Sequence, residues 1–102
     1  MFDRFTTSAR RSLFDARVLV GQHGADAIGP EHVLLGLLAD DKGLGRRILA
    51  RTGCPPDAVA SEILDRLPRS APTPASLDIP FSASCGRVLQ HAAARRAERD
   101  VQ

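Results

Sequence analysis

Tryptophan and tyrosine are absent from this sequence, and phenylalanine occurs four times in 102 residues. A core must therefore be assembled from Leu, Ile, Val and Ala, a set that favours helix packing on helix. Cysteine occurs twice, at Cys54 and Cys85, too few for a disulfide framework and without the paired spacing of a zinc site. Both are expected as free thiols, Cys85 as a small buried residue and Cys54 as a filler between helices. His23, His32 and His91 share no ligand spacing with each other or with the cysteines, so no metal is expected. No apolar run approaches the ~20 residues that cross a bilayer, and Met1-Phe2-Asp3-Arg4-Phe5 lacks the apolar core of a secretory leader. No membrane partner is expected, and the protein is expected to be cytoplasmic. No G-x-x-x-x-G-K-S/T sequence occurs, since Gly43-Leu44-Gly45 is not followed by the Lys and Ser/Thr of a P-loop. Neither ATP nor any other cofactor is expected, and no enzymatic activity is expected of this chain by itself. Lysine is nearly missing too: Lys42 stands alone against thirteen arginines. The net charge of +2 is too small to argue for nucleic acid by itself.

What the chain does contain is a pattern that starts again and then breaks off. Phe5-Thr6 leads into Ala9, Arg11, Leu13 and Ala16, and Phe81-Ser82 leads into Cys85, Arg87, Leu89 and Ala92 at one constant offset. A pattern that returns after a whole helical unit points to duplicated packing modules, each burying its apolar face partly against the next. The length suits one small domain with a single core.

Thr6 or Thr7 can cap a first helix whose Ala9, Leu13, Ala16 and Val20 follow the rhythm of one face, with Gly21 and Gly24 marking its end. Pro30 fits the first position of a second helix and Glu31 complements its positive end. Val33, Leu34, Leu37 and Leu38 give that helix a broad apolar stripe, so it is expected to be the most buried element. After the Asp40-Asp41-Lys42-Gly43 turn, Leu44, Ile48 and Leu49 define a third helix that stops at Gly53. Pro55-Pro56-Asp57 opens a fourth, with Val59, Ile63, Leu64 and Leu67 inward. Residues 68–80 hold four prolines and read as an extended connector. Ser82 can cap a fifth helix carrying Cys85, Val88, Leu89, Ala92 and Ala93, which ends in the charged run Arg95-Arg96-Ala97-Glu98-Arg99-Asp100. The expected division is a first unit over 1–67, the connector over 68–80 and a partial second unit over 81–102.

Three segments carry a family likeness. Met1-Phe2-Asp3-Arg4-Phe5-Thr6 at the start, Ile28-Gly29-Pro30-Glu31-His32-Val33-Leu34-Leu35-Gly36-Leu37-Leu38 in the middle and Ile79-Pro80-Phe81-Ser82 at the second unit resemble the N-terminal domain of Clp ATPase unfoldases, the ClpC type in particular. The middle segment follows that family's IG-x-EH-x-LLGL signature, which is long and specific. The resemblance implies an all-α fold of two four-helix repeats packed about a pseudo-twofold axis. This chain holds one complete repeat plus the first helix of a second, ending before the second copy of the signature. It departs from the pattern in Pro55-Pro56 and in Ser84, Gly86 and Gln90. Gly86 weakens a helix interior by ~1 kcal/mol relative to Ala, so the fifth helix is expected to be less well formed than the first, or held by a partner.

The resemblance also implies a function: docking of substrate or adaptor proteins for ATP-dependent proteolysis, including recognition of arginine-phosphorylated proteins. Thr6 and Glu31 are the residues it points to. A hydroxyl and free N–H groups at a helix start hold phosphate, and a carboxylate takes the guanidinium fork. The purely structural alternative makes Thr6 an N-cap and Glu31 a dipole partner. Ser82 matches Thr6 in the second unit, but its matching Glu is absent, so any second pocket is expected to be incomplete. Phe2 and Arg4 are candidates for an adaptor or small-ligand surface. Val88, Leu89 and Ala92 form a candidate dimer or packing face, because an unfinished second unit leaves them without their usual neighbours. Two rival functions remain: a dimerising stand-alone assembly protein, and a small arginine-rich DNA-binding regulator in which Arg10-Arg11, Arg46-Arg47 and Arg95-Arg96 contact phosphates. The interleaving of these arginines with acidic residues disfavours the second.

Overall fold

The computed structural model describes residues 5–40, 43–73 and 78–101, with side chains through residue 95. Five helices and no strand occur among the described residues: α1 (Thr7–His23), α2 (Pro30–Leu38), α3 (Leu44–Arg51), α4 (Pro56–Arg66) and α5 (Ala83–Val101). The all-α expectation is met. Phe2 and Arg4 lie outside the described residues.

Each helix starts and stops for a local reason. Thr6 sits in extended backbone and its Oγ1 accepts the Ala9 N–H at 3.1 Å, a cap that contributes ~1 kcal/mol. Gly24 ends α1 in the left-handed region, at φ 71°, which a side chain rarely adopts. Gly53 does the same beyond α3, at φ 84°. Pro30 and Pro56 each occupy a first helical position, where the missing N–H is not needed.

Helix α1 lays Leu13, Ala16 and Val20 against the core. It crosses α2 where Gly36 replaces a side chain: a Cβ there would stand 2.2 Å from the Ser12 carbonyl oxygen and 3.2 Å from the Ala16 nitrogen. Helix α2 packs against each of the other four helices. Its burial is one-sided, however. His32, Leu35, Gly36 and Leu38 are buried, while Leu34 and Leu37 are more than a third exposed. The stripe was expected on Val33, Leu34, Leu37 and Leu38; α2 is central without being enclosed, because only α1 crosses it closely.

The segment leading into α5 is tied to the segment leading into α2 by backbone. Ile28, itself 2% exposed, donates to the Pro80 carbonyl at 2.8 Å and accepts from the Ser82 N–H at 2.9 Å, an isolated parallel bridge to Phe81. Ser82 then caps α5 as Thr6 caps α1, its Oγ accepting the Cys85 N–H at 3.1 Å. Repeat-equivalent residues meet in one cluster, with Leu13, Cys85 and Leu89 buried together and Phe5, Val33 and Phe81 packed on them.

The described residues that follow α4 dock on the end of α1. Ser70 N–H reaches the His23 carbonyl at 2.9 Å and Thr73 N–H the Gly21 carbonyl at 2.8 Å, so they satisfy acceptors that the end of α1 leaves unpaired. Arg46 fastens the other side of the unit. Its guanidinium donates to the Leu38 carbonyl at 2.7 Å and to the Asp57 carboxylate, joining α3 to the end of α2 and the start of α4.

Several expectations need correction. Helix α5 is the longest helix described, at 19 residues: the bridge and the Cys85–Leu89 contacts anchor its first turns and outweigh the cost of Gly86. Leu89 is 5% exposed and belongs to the core, so it is not part of a face open to a second copy. Val88 and Ala92 remain exposed. Cys54 is exposed and not a filler, whereas Cys85 is buried as expected. Leu44 and Ile48 point to solvent, at 62% and 52% exposure, because α3 is too short to turn both against α2 and α4.

Two glycine substitutions separate close packing from helix propensity. Gly86 has open space where a Cβ would stand, so Gly86→Ala is expected to stabilise the chain by ~0.5–1 kcal/mol. Gly36→Ala is expected to destabilise it by ~1–3 kcal/mol through overpacking. Urea denaturation midpoints of the two variants against the parent check both.

Candidate functional site

The backbone bridge at Ile28 sets two helix starts side by side. Gly29 precedes α2 on one strand of the bridge, and Ser82 precedes α5 on the other. Both starts present the positive end of a helix dipole. The start of α1 adjoins them, since Phe5, the neighbour of Thr6, packs on the same cluster as Val33 and Phe81.

Glu31 is the charged group at this seam. Its side chain is 47% exposed, and its carboxylate folds over Gly29, where a Cβ would collide with it at 2.3 Å. Its charge is felt at Cys85 in the first turn of α5, where burial raises the thiol pKa and Glu31 raises it further. Both effects disfavour the thiolate, the reactive form of a cysteine. Among the described residues Glu31 has no Lys or Arg partner; His32 Nδ1 lies 3.6 Å from its carboxylate.

His32 is buried, and its Nδ1 accepts the Gly29 N–H at 2.8 Å. It closes the first turn of α2 in the manner of a capping box. That bond requires Nδ1 without a proton, so the neutral ring carries its hydrogen on Nε2. Burial lowers the His32 pKa, Glu31 opposes this in part, and His23 adds to the lowering. The histidine is thus a structural clasp that holds the backbone beneath Glu31.

The structure brings Glu31 to the α2–α5 seam and Thr6 to the adjacent start of α1, with no described hydrogen bond between them. Thr6 is exposed, and its hydroxyl serves as the α1 cap. Beside the seam runs a groove of about 560 Å³ whose floor is Leu13, Ile28 and Phe81 and whose rim includes Arg10 and Phe14. Phe14 is 64% exposed. Sequence periodicity could not reveal this groove, because one wall is the connector at Asp78–Pro80, which reaches α1 only through the fold. Among the described residues no group of three His, Cys, Asp or Glu side chains is placed to hold a metal, and no helix is long and apolar enough to cross a membrane.

Comparison with known proteins agrees with this architecture. Residues 4–102 match the family described as "Clp repeat (R) N-terminal domain". The chain belongs to that family. It is 31% identical over 97 residues to the chloroplastic chaperone protein ClpD1 of Oryza sativa subsp. japonica, covering 88% of this chain and 10% of the relative. It is 34% identical over 67 residues to chloroplastic ClpC of Pisum sativum, covering 66% of this chain and 7% of the relative. With chloroplastic ClpC3 of Oryza sativa subsp. japonica the identity is 28% over 89 residues, 87% and 9% of the two chains. This Clp N-domain thus spans a tenth or less of the length of these relatives.

The His32 clasp makes the domain's stability depend on pH. A histidine with a lowered folded pKa binds fewer protons in the folded chain than in the unfolded one. Its contribution is complete above about 6.5, the ordinary histidine value, and is lost as pH falls from there through the folded pKa. His32→Gln, which keeps a capping acceptor at the same position, is expected to flatten that loss. Thermal midpoints from pH 8 to pH 5 for the two proteins provide the check.

Proposed function

We propose that this Clp N-domain is a non-catalytic recognition module that captures substrate or adaptor proteins for a Clp unfoldase, and that the Glu31 seam takes phosphoarginine. The observation that carries the reading is a half-exposed carboxylate with no Lys or Arg partner among the described residues, set beside the positive ends of two helices. A guanidinium fork fits the carboxylate, and the phosphate it carries fits the positive helix ends. Thr6 contributes the adjacent hydroxyl. Two free cysteines, one of them exposed, suit the reducing cytoplasm.

A second reading, adaptor docking, is favoured by the groove beside the seam, where exposed Phe14 and Arg10 offer an apolar and basic surface. Nucleic-acid binding is weakened by the engagement of the arginines. Arg46 is held by Leu38 and Asp57, Arg11 lies 4.0 Å from Asp15, and Arg66 is 2.7 Å from Glu62.

Calorimetric titration with free phosphoarginine tests the seam. Saturable binding is expected, abolished by Glu31→Ala and weakened by Thr6→Ala, with circular dichroism showing that both variants remain folded. Binding unchanged in Glu31→Ala removes the phosphoarginine reading; no binding by the folded parent leaves adaptor docking at the Phe14 groove.

A further inference from the structure

Helix α3 has eight residues and buries none of them fully. Isolated exposed apolar side chains are ordinary on protein surfaces. Here Leu44 and Ile48 stand one turn apart on the same face, at 62% and 52% exposure. Leu37 of α2, also more than a third exposed, lies against the start of α3: a Cβ at Gly45 would touch its Cβ at 3.4 Å. Leu44, Arg47, Ile48, Ala50 and Arg51 line a shallow groove of about 520 Å³. Arg47 and Arg51 are likewise one turn apart, and neither has an acidic partner among the described residues. Arg11, Arg46 and Arg66, by contrast, each face a carboxylate.

From this apolar pair edged by two unpaired guanidinium groups we infer that α3 is a docking surface for an acidic amphipathic helix of a partner protein. Such a helix offers apolar anchors at i and i+4 to Leu44 and Ile48, and flanking carboxylates to Arg47 and Arg51. A second copy of this chain fits poorly, because a twofold contact sets the patch against itself and brings four guanidinium groups together. Nucleic acid pairs with the arginines but leaves Leu44 and Ile48 in water. The surface is also separate from the Glu31 seam. Gly45 and Arg46 abut Leu37 and Leu38 at the end of α2, whereas Glu31 is in its first turn, ~10 Å away along the axis at 1.5 Å per residue. The inference therefore stands apart from the phosphoarginine reading.

The test is an NMR titration of the isotopically labelled chain with a synthetic peptide of about four helical turns, carrying Leu and Ile at i, i+4 spacing flanked by Glu. A counterpart with Lys in place of Glu is the control. Saturable amide shifts confined to α3 and the adjoining end of α2 are expected, with the Lys peptide failing to bind. The double variant Arg47→Glu, Arg51→Glu is expected to weaken the Glu peptide by about tenfold or more and to leave phosphoarginine binding as it is in the parent. Leu44→Ser, on a side chain mostly in water and so dispensable for folding, is expected to weaken the peptide as well. Absence of binding, equal binding of the two peptides, shifts centred away from α3, or a dimer formed through α3 in light scattering at the same concentrations each overturns the inference. Loss of phosphoarginine binding in Glu31→Ala with peptide binding intact, or the reverse in the arginine variant, assigns a failure to one end of α2 and not the other.

Discussion

The segment leading into α5 is fixed to the start of α2 through one buried backbone residue, Ile28. Ile28 has both of its main-chain polar groups hidden from water, and Pro80 and Ser82 satisfy them. A buried backbone group left unpaired costs ~1–3 kcal/mol, so a slip at this point forfeits two bonds at once. That sets the register of the segment leading into α5, and the rest follows from it. Cys85 and Leu89 drop onto Leu13, Phe81 comes to rest on the cluster that also holds Phe5, and the N-terminus of α5 lies beside that of α2.

The same contact produces the candidate site. Glu31 alone would be an exposed carboxylate complementing its own helix, a role common to first-turn acids. Beside a second helix start, and above a backbone clasped by the neutral His32, it becomes a charge beside two positive dipole ends, with no Lys or Arg partner among the described residues. The clasp matters for geometry. With Nδ1 occupied by the Gly29 N–H, the ring is fixed and the turn carrying Glu31 has little freedom. Helix α2 then separates two surfaces of opposite character: an acidic seam at its start and, near its end, the apolar and arginine-edged face of α3.

Much of the fold was legible in local chemistry. Thr6, Pro30, Gly53 and Pro56 act on their own backbone, so their effects were readable without knowing what lies opposite them. The spacing of Leu13, Ala16 and Val20 also settled the inward face of α1. Readings failed where a residue's fate depended on another element. Leu44, Ile48 and Leu49 follow a helical rhythm, yet rhythm does not say whether neighbouring helices are close enough to cover it, and only the Leu49 side remains half-buried. Helical spacing puts Leu89 beside Val88 on one apolar face, but Leu89 packs on Leu13, its counterpart in the repeated pattern. Gly86 was read by propensity, which is a small term beside the anchoring of the first turns of α5.

The sequence by itself determined the class of elements, their caps and breaks, the repeat and the family, because each of these is written in residues close together along the chain. Tertiary structure alone decided that the proline-rich connector docks on α1, that Leu89 is core, that Arg46 joins three helices and that Leu44 and Ile48 face water. It also decided the setting of Glu31, whose carboxylate gains its meaning from a helix start distant in sequence. The physical reason is common to all of these: helix periodicity names a face, whereas burial and charge environment depend on which other surface is brought against it.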